Sequence, residues 1–489
     1  MTPTRQHLLD MILDPALAFD QPASDIEPLQ LRAAHELFGE RVQQIPLLAR
    51  RAEEAGIARI DTLQDLVPLL FAHTVYKSYP PSFVEKGQWG RLLQWLQTLS
   101  VADVSGVDVD GVKDIDDWIA RLWGAGHLVL ATSGSSGKCS FLNHTRGDSA
   151  LKQRHFRHAV GWPFVKANAD RTVFWLGPLH GPNSACEAAR FNAENFGKPG
   201  GTHALSDQPL RISEVSRMAA LRKKMADGSA SPGEIAGFDQ EAARKAVEVR
   251  EAMLKLADAI LDHRREPMLV AGMWAQYMML IARARERGIG DGEFHPDTVV
   301  NAGGGVKGIA LPPDYKEQVD RFFGPVVRPA AYGMTELAQV MPRCEAGRYH
   351  RAPGLVWLVL DRDGERVLTA ADGDDGVVEG RFAFLDLLYE GRWGGLITGD
   401  KVTVDFKPRC PCGRHGPTLL DTITRFAQPG EDDHIGCAGT IDSYIRGAIE
   451  APTLPPVAAP RGGPGSGPAE PAPSQTLAAA AGRGAGERA

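Results

Sequence analysis

The chain has 489 residues, 43% of them hydrophobic and 24% charged, so it can build a core and cannot be wholly disordered, collagen-like or a disulfide framework. Its 54 Lys and Arg against 61 Asp and Glu give a net charge of -7, which offers no general electrostatic footprint for nucleic acid or an anionic membrane. The six cysteines are sparse for this length, favouring free thiols or metal ligands over disulfides.

In chain order, the opening MTPTRQHLLDMILDPALAFD is broken by Asp10 and Asp14, so no signal peptide is expected and a cytoplasmic location is. HLLDMIL, LQLRAAHELFGERVQQIPLLARRAEEAG and GRLLQWLQTL space their apolar residues three and four apart, predicting a helical segment over 1–100. From Leu128 onward short apolar runs such as LVLATSG, RTVFWLGP, PDTVVNAGGG and LLYEGRWGGLITGD alternate with helical patterns such as Phe238 to His263, the order of an α/β domain over 101–425. The run MLVAGMWAQYMMLIA, Met268 to Ala282, is too short to span a membrane and predicts a buried helix stopping at Gly288. GLVWLVLDRDGERVL predicts a hairpin turning at Arg362, Asp363 and Gly364. Residues 451–489 are dominated by Ala, Pro and Gly with no aromatic residue, and predict a disordered tail.

Two constellations carry chemistry. ATSGSSGKCS, Ala131 to Ser140, follows an apolar run and can converge backbone N–H groups on phosphate oxygens beside the charge of Lys138; a plain flexible turn is the other reading. It fails the Walker A pattern at Thr132 and Cys139, which disfavours a P-loop NTPase. Cys344-x5-His350 with Cys410-x-Cys412 offers four protein ligands for a structural, tetrahedral Zn²⁺, against the alternative of reduced thiols; His415 and Cys437 are reserves, and Cys139 and Cys186 read as plain thiols.

TSGSSGK, NAGGGVKG (Asn301 to Gly308), YGMTE (Tyr332 to Glu336) and LITGD (Leu396 to Asp400), in that order, resemble the motifs of the adenylate-forming superfamily of acyl-CoA synthetases, adenylation domains and luciferases. YGMTE followed by RCEAGRYH and RCPCGRHGP resembles its phenylacetate–CoA ligase branch, and within it the adenylating proteins of phenazine-type antibiotic pathways. The resemblance implies a large α/β adenylate-forming domain, a hinge-like remnant at 426–450, and a small C-terminal domain that is missing or degenerate, because no lysine follows Lys407 where the family keeps its mobile catalytic lysine.

Residue by residue, the resemblance implies that Thr132, Ser133, Ser135, Ser136 and Lys138 handle the ATP phosphates, Gly303, Gly304 and Gly305 border the adenine, and Tyr332 stacks on it. Thr335 then binds the α-phosphate, Glu336 holds Mg²⁺, and Asp400 and Arg425 contact the ribose. His180 and Asn183, on the loop WLGPLHGPNSA, are candidates for the acid site, and Trp175, Trp274 and Tyr332 would suit a flat aryl acid. The implied reaction activates a carboxylic acid, aryl by preference, as its acyl-adenylate, with transfer to CoA. A reductase or amide-forming acceptor partner, and a non-catalytic ligand-binding descendant, are the alternatives. A homodimer is left open.

Overall fold

The computed structural model describes residues 1–132, 138–303 and 310–426. Ser133, Ser135, Ser136, Gly304, Gly305, the reserve ligand Cys437, residues 427–450 of the hinge-like segment and the 451–489 tail lie outside the described residues.

Helices α1 (Pro3–Leu13), α2 (Ala23–Arg41), α3 (Pro46–Ala55), α4 (Leu63–Leu66), α5 (Ser82–Glu85), α6 (Trp89–Leu99) and α7 (Ile115–Gly124) precede the α/β texture, with a short strand β1 (Phe71–Ala72) among them. The predicted continuous helix through residues 29–56 breaks before Pro46, which donates no N–H and holds Ile45 extended. In α6 the buried Leu92, Leu93, Leu96 and Leu99 share one face. These helices are no separate lobe. Gln30 Nε2 donates to the carbonyls of Pro353 (2.8 Å) and Leu355 (3.1 Å), and β1 pairs in parallel with Leu396 and Ile397.

The central region runs β2 (Leu130–Thr132), β3 (Ser140–Leu142), α8 (Arg146–Ala159), β4 (Arg171–Pro178), α9 (Ser184–Phe196), β5 (Gly197–Ser206), α10 (Ile212–Ala226), α11 (Pro232–Asp262), β6 (Met268–Met273), α12 (Trp274–Glu286) and β7 (Val299–Gly303). The Met268 to Ala282 run is therefore a strand followed by a helix, a correction to the single predicted helix. A parallel strand buried on both faces shows no period-two alternation, so its apolar run merged with that of the helix behind it. The strands form a parallel sheet in the order β5-β4-β6-β7. The chain leaves β4 toward β5 on one side and returns as β6 on the other. That reversal opens a crevice beyond the carboxyl ends of β4 and β6, the place where open α/β sheets bind ligands.

The last region comprises α13 (Tyr315–Phe323), β8 (Ala331–Tyr332), β9 (Met341–Pro342), β10 (Arg348–His350), β11 (Leu355–Leu360), β12 (Val367–Leu368), β13 (Val377–Asp386), β14 (Gly395–Asp405), β15 (Thr418–Leu420) and β16 (Thr424–Arg425). A mixed sheet runs β10-β15-β14-β13-β11-β12, with β1 and β16 also paired to β14. The predicted hairpin joins β11 to β12, and Gly364 at φ +78° takes the left-handed conformation that its turn requires. Leu37, Phe38, Phe382, Phe384 and Trp393 belong to one core between the N-terminal helices and this sheet. The fold is mixed α/β, and among the described residues no helix is long and apolar enough to cross a membrane.

Candidate active site and metal centre

At the crevice of the parallel sheet lies a cavity of about 280 Å³. Trp175, Ala271 and Asn301, paired in one row across β4, β6 and β7, line it. Ser184, Ala185, Ala188 and Asn192 of α9 supply one wall, Phe156 and Val160 another, and Ala331, Gly333 and Val340 close it. The Trp175 indole is held by a hydrogen bond from Nε1 to the Pro178 carbonyl at 3.1 Å. Of the two predicted acid contacts, Asn183 lines the cavity, whereas His180 is exposed and outside the lining. Trp274 is also outside it, edge-on to Tyr315 at 5.2 Å.

The segment that closes the cavity is also bonded to Asp400. Ala331 and Gly333 line the cavity, and the hydroxyl of Tyr332 between them donates to Asp400 Oδ2 at 2.6 Å. Alternation along the extended strand β8 sets the Tyr332 side chain on the face opposite that of Ala331. Arg425, paired with Asp400 across β16 and β14, brings its Nε to 3.7 Å from Asp400 Oδ1. Gly333 permits the close approach of Val340: a Cβ there would stand 2.7 Å from Val340 Cγ1.

Thr335 and Glu336 follow, 1% and 4% exposed. Ser184 and Thr335 share a hydroxyl hydrogen bond of 2.7 Å, which ties the start of α9 to this loop. The loop is held from behind by two groups that the sequence did not single out. Fully buried Arg392 donates to the Glu336 carbonyl at 2.7 Å and lies 3.7 Å over the Tyr389 ring. Buried Asp386 accepts from the Ala338 N–H at 2.7 Å and from Gln339 Nε2 at 2.8 Å.

Thr132 and Lys138 flank the predicted phosphate loop. Thr132 is buried at the end of β2, opposite Ser140 of β3. Lys138 Nζ sits 4.5 Å over the Tyr79 ring, and burial together with the charge of Lys77 pushes its pKa down. Gly303 ends β7 and lines the cavity.

The predicted metal ligands meet. Cys344, His350, Cys410 and Cys412 place their ligand atoms within 4.8 Å of one another, with Cys344 Sγ 3.8 Å from Cys410 Sγ and Cys412 Sγ 3.5 Å from His350 Nε2. Tetrahedral Zn²⁺, with bonds of about 2.3 Å to sulfur and 2.0 Å to nitrogen, separates its ligand atoms by roughly 3.5–3.8 Å. The donor set fits that ion. His350 Nδ1 lies 3.1 Å from the Phe19 carbonyl, and donation there leaves Nε2 with its lone pair toward the cysteines. Burial, with the nearby charge of Arg414, holds His350 neutral, its pKa pushed down to about 4. Burial pushes the Cys410 thiol up to about 12; at Cys412 burial is outweighed by hydrogen bonds from Arg414 and the neighbouring thiols, and the thiol is brought down. His415 is engaged elsewhere, its Nδ1 2.8 Å from Asp20 Oδ1.

No family model and no curated protein matches the chain. Among solved structures it is similar to 2-hydroxyisobutyryl-CoA ligase in an open conformation, in complex with 2-HIB-AMP and CoA, at TM-score 0.46 and 14% identity over 84% of this chain and 79% of that one. It is also similar to an o-succinylbenzoate CoA synthetase from Bacillus subtilis bound with a product analogue, at TM-score 0.32 and 16% identity over 60% of this chain and 48% of that one. A third similar structure, CmiS6, has TM-score 0.28 and 12% identity over 58% of this chain and 59% of that one.

Proposed function

We propose that the chain activates a small carboxylic acid with ATP, forming an acyl-adenylate and releasing pyrophosphate. The observation that carries this reading is the segment 331–333, which lines a largely apolar cavity through Ala331 and Gly333 and bonds to Asp400 through Tyr332. An acid in the cavity and a nucleotide on Asp400 would meet at the Ser184–Thr335 end, where a phosphate oxygen finds hydroxyl donors.

The chemistry needs little from the protein beyond placement. A carboxylate oxygen of the acid bonds to the α-phosphorus of ATP, and the bond from that phosphorus to the α,β-bridging oxygen breaks, so pyrophosphate departs with its electron pair. The carboxylate is already ionised at neutral pH, so no general base is required. Negative charge builds on phosphate oxygens, and fixed donors there lower the barrier. Thr335 supplies such a donor, Lys138 a mobile positive charge, and Asp400 an acceptor for ribose hydroxyls. Glu336, a single carboxylate beside Thr335, fits the way Mg²⁺ is usually held, through one or two carboxylates with the remainder from phosphate and water. When bound, that ion would supply charge neutralisation at the phosphates.

The Cys344, His350, Cys410 and Cys412 set would hold Zn²⁺ as a clamp joining the β10 region to the 410–412 turn. All four ligands come from the protein, so the ion has a structural role. An aryl acid suits the cavity through Trp175 and Phe156. CoA is the proposed acceptor of the acyl group. Acid-dependent exchange of labelled pyrophosphate into ATP tests the reading, and a panel of aryl acids giving no exchange would remove it.

A further inference from the structure

We infer that Lys77 is a second cation for the polyphosphate of the nucleotide, acting with Lys138 on the two phosphates that leave as pyrophosphate. The inference rests on the proposed function in one respect, that the anion is ATP.

Lys77 belongs to none of the sequence motifs, and its place is set by the segment around it. Residues 71–79 are tied to three parts of the candidate site. β1 pairs in parallel with Leu396 and Ile397, and the His73 N–H donates to the Ile397 carbonyl at 3.1 Å, on the strand that carries Asp400. The Tyr76 hydroxyl accepts from Arg392 Nη1 at 3.2 Å, and the same guanidinium donates from Nη2 to the Glu336 carbonyl at 2.7 Å. The Tyr79 hydroxyl donates to the Cys139 carbonyl at 2.9 Å, and its ring stacks on Phe141 of β3 with centroids 5.4 Å apart. Lys77 closes a single 3-10 turn, Val75–Lys77, between the second tie and the third. Tyr76 and Tyr79 are both buried, so the backbone is anchored on either side of Lys77.

The third tie brings Lys77 to Lys138. Lys138 Nζ lies 4.5 Å over the ring of Tyr79, two places beyond Lys77. Burial pushes the Lys138 pKa down and the charge of Lys77 adds to the shift, so the two ammonium groups act on one another. Both side chains are half-buried, and among the described residues neither makes an ion pair. Elsewhere on this chain neighbouring cations share a carboxylate: Arg5 and Arg41 meet on Glu390, and Arg283 and Arg287 on Asp258. Like charges held together without a counter-charge repel, and an anion between them removes the repulsion.

The chemistry of that anion follows from the two side chains. A lysine ammonium is a compact point charge with three donors and binds phosphate as such, whereas planar recognition of a carboxylate favours arginine. Two of them call for more than one negative charge, as a diphosphate provides. In the proposed reaction charge builds on the departing pyrophosphate, and fixed cations there stabilise it. AMP lacks those two phosphates and gains nothing from Lys77.

The test is calorimetric titration of the full chain with ATP, inorganic pyrophosphate and AMP at fixed Mg²⁺, comparing wild type with Lys77→Gln and Lys77→Ala, each checked for an unchanged melting temperature. ATP and pyrophosphate are expected to bind about 10-fold or more weakly to the variants, with AMP unchanged. A second readout uses the wild type alone: pyrophosphate should protect Lys77 and Lys138 from an amine-acylating reagent, and AMP should not. Unchanged ATP and pyrophosphate affinity in a variant that folds, equal weakening of AMP, no protection of Lys77, or no binding of ATP or pyrophosphate by the wild type would overturn the inference. Acid-dependent pyrophosphate exchange measured separately distinguishes the two claims. Exchange with an ATP affinity indifferent to Lys77 leaves the proposed function standing without the inference, and Lys77-dependent pyrophosphate binding without exchange does the reverse.

Discussion

The hydroxyls of Ser184 and Thr335, 151 residues apart in sequence, lie 2.7 Å from one another. The bond joins the amino end of α9, which lines the cavity, to the loop that carries Glu336. Thr335→Val removes the donor proposed to meet the reacting phosphate, and the rate of acid-dependent pyrophosphate exchange should fall by about 10²–10³. Ser184→Ala leaves that donor but loosens it, with a smaller loss of roughly 3- to 10-fold. Steady-state rates of the two variants check the order, which a purely packing role for Thr335 would not produce.

Asp400 accepts the Tyr332 hydroxyl and stands beside Arg425. Asp400→Asn keeps the shape but weakens a charged acceptor, so the KM for ATP should rise by roughly 10- to 100-fold with a smaller change in the KM for the acid. Initial-rate measurements with each substrate varied in turn separate the two effects.

The cluster of Cys344, His350, Cys410 and Cys412 makes a prediction independent of catalysis. Metal analysis of the purified chain should find one equivalent of zinc, and Cys344→Ser or Cys412→Ser should reduce it to a small fraction. Chelation should lower the melting temperature by several degrees, and added Zn²⁺ should restore it. A metal-free wild-type chain with an unchanged melting temperature would show reduced thiols instead.

Buried histidines set an acid limit on stability. Burial lowers the pKa of His144 far below the usual value and that of His155 to about 4. Both are therefore neutral in the fold, while the unfolded chain protonates them near 6.5. Between about pH 6.5 and 4 the unfolded state binds more protons, so stability is full above that window and falls as the pH drops through it. The loss for His155 is on the order of 3 kcal/mol. Denaturant midpoints at pH 7 and pH 5 should show the decline, and His155→Phe should reduce it.

Much of this architecture was legible in the residues. The helix spacing of Leu92 to Leu99, the Gly364 hairpin and the convergence of Cys344, His350, Cys410 and Cys412 all follow from local pattern or ligand chemistry. Legibility failed where tertiary context decides. Residues 268–273 become a strand because β4 and β7 pair with its edges while separate apolar clusters bury its two faces, which no periodicity reports. Ser184 looks like an ordinary helix residue until the start of α9 is laid against the Thr335 loop, and Asp386 at the end of β13 and Arg392 in the connection to β14 hold the Glu336 loop from some fifty residues away. His180, on a Gly/Pro loop, is exposed and outside the cavity lining, a placement that local pattern does not report.

The central claim is ATP-dependent acid activation, and the direct measurement is exchange of labelled pyrophosphate into ATP by the full chain across a panel of aryl acids with Mg²⁺. The expected result is exchange that requires an acid and falls by at least 10²-fold in Thr335→Val. Absence of exchange with every acid would contradict it, and exchange unaffected by Thr335→Val would overturn the role given to Thr335.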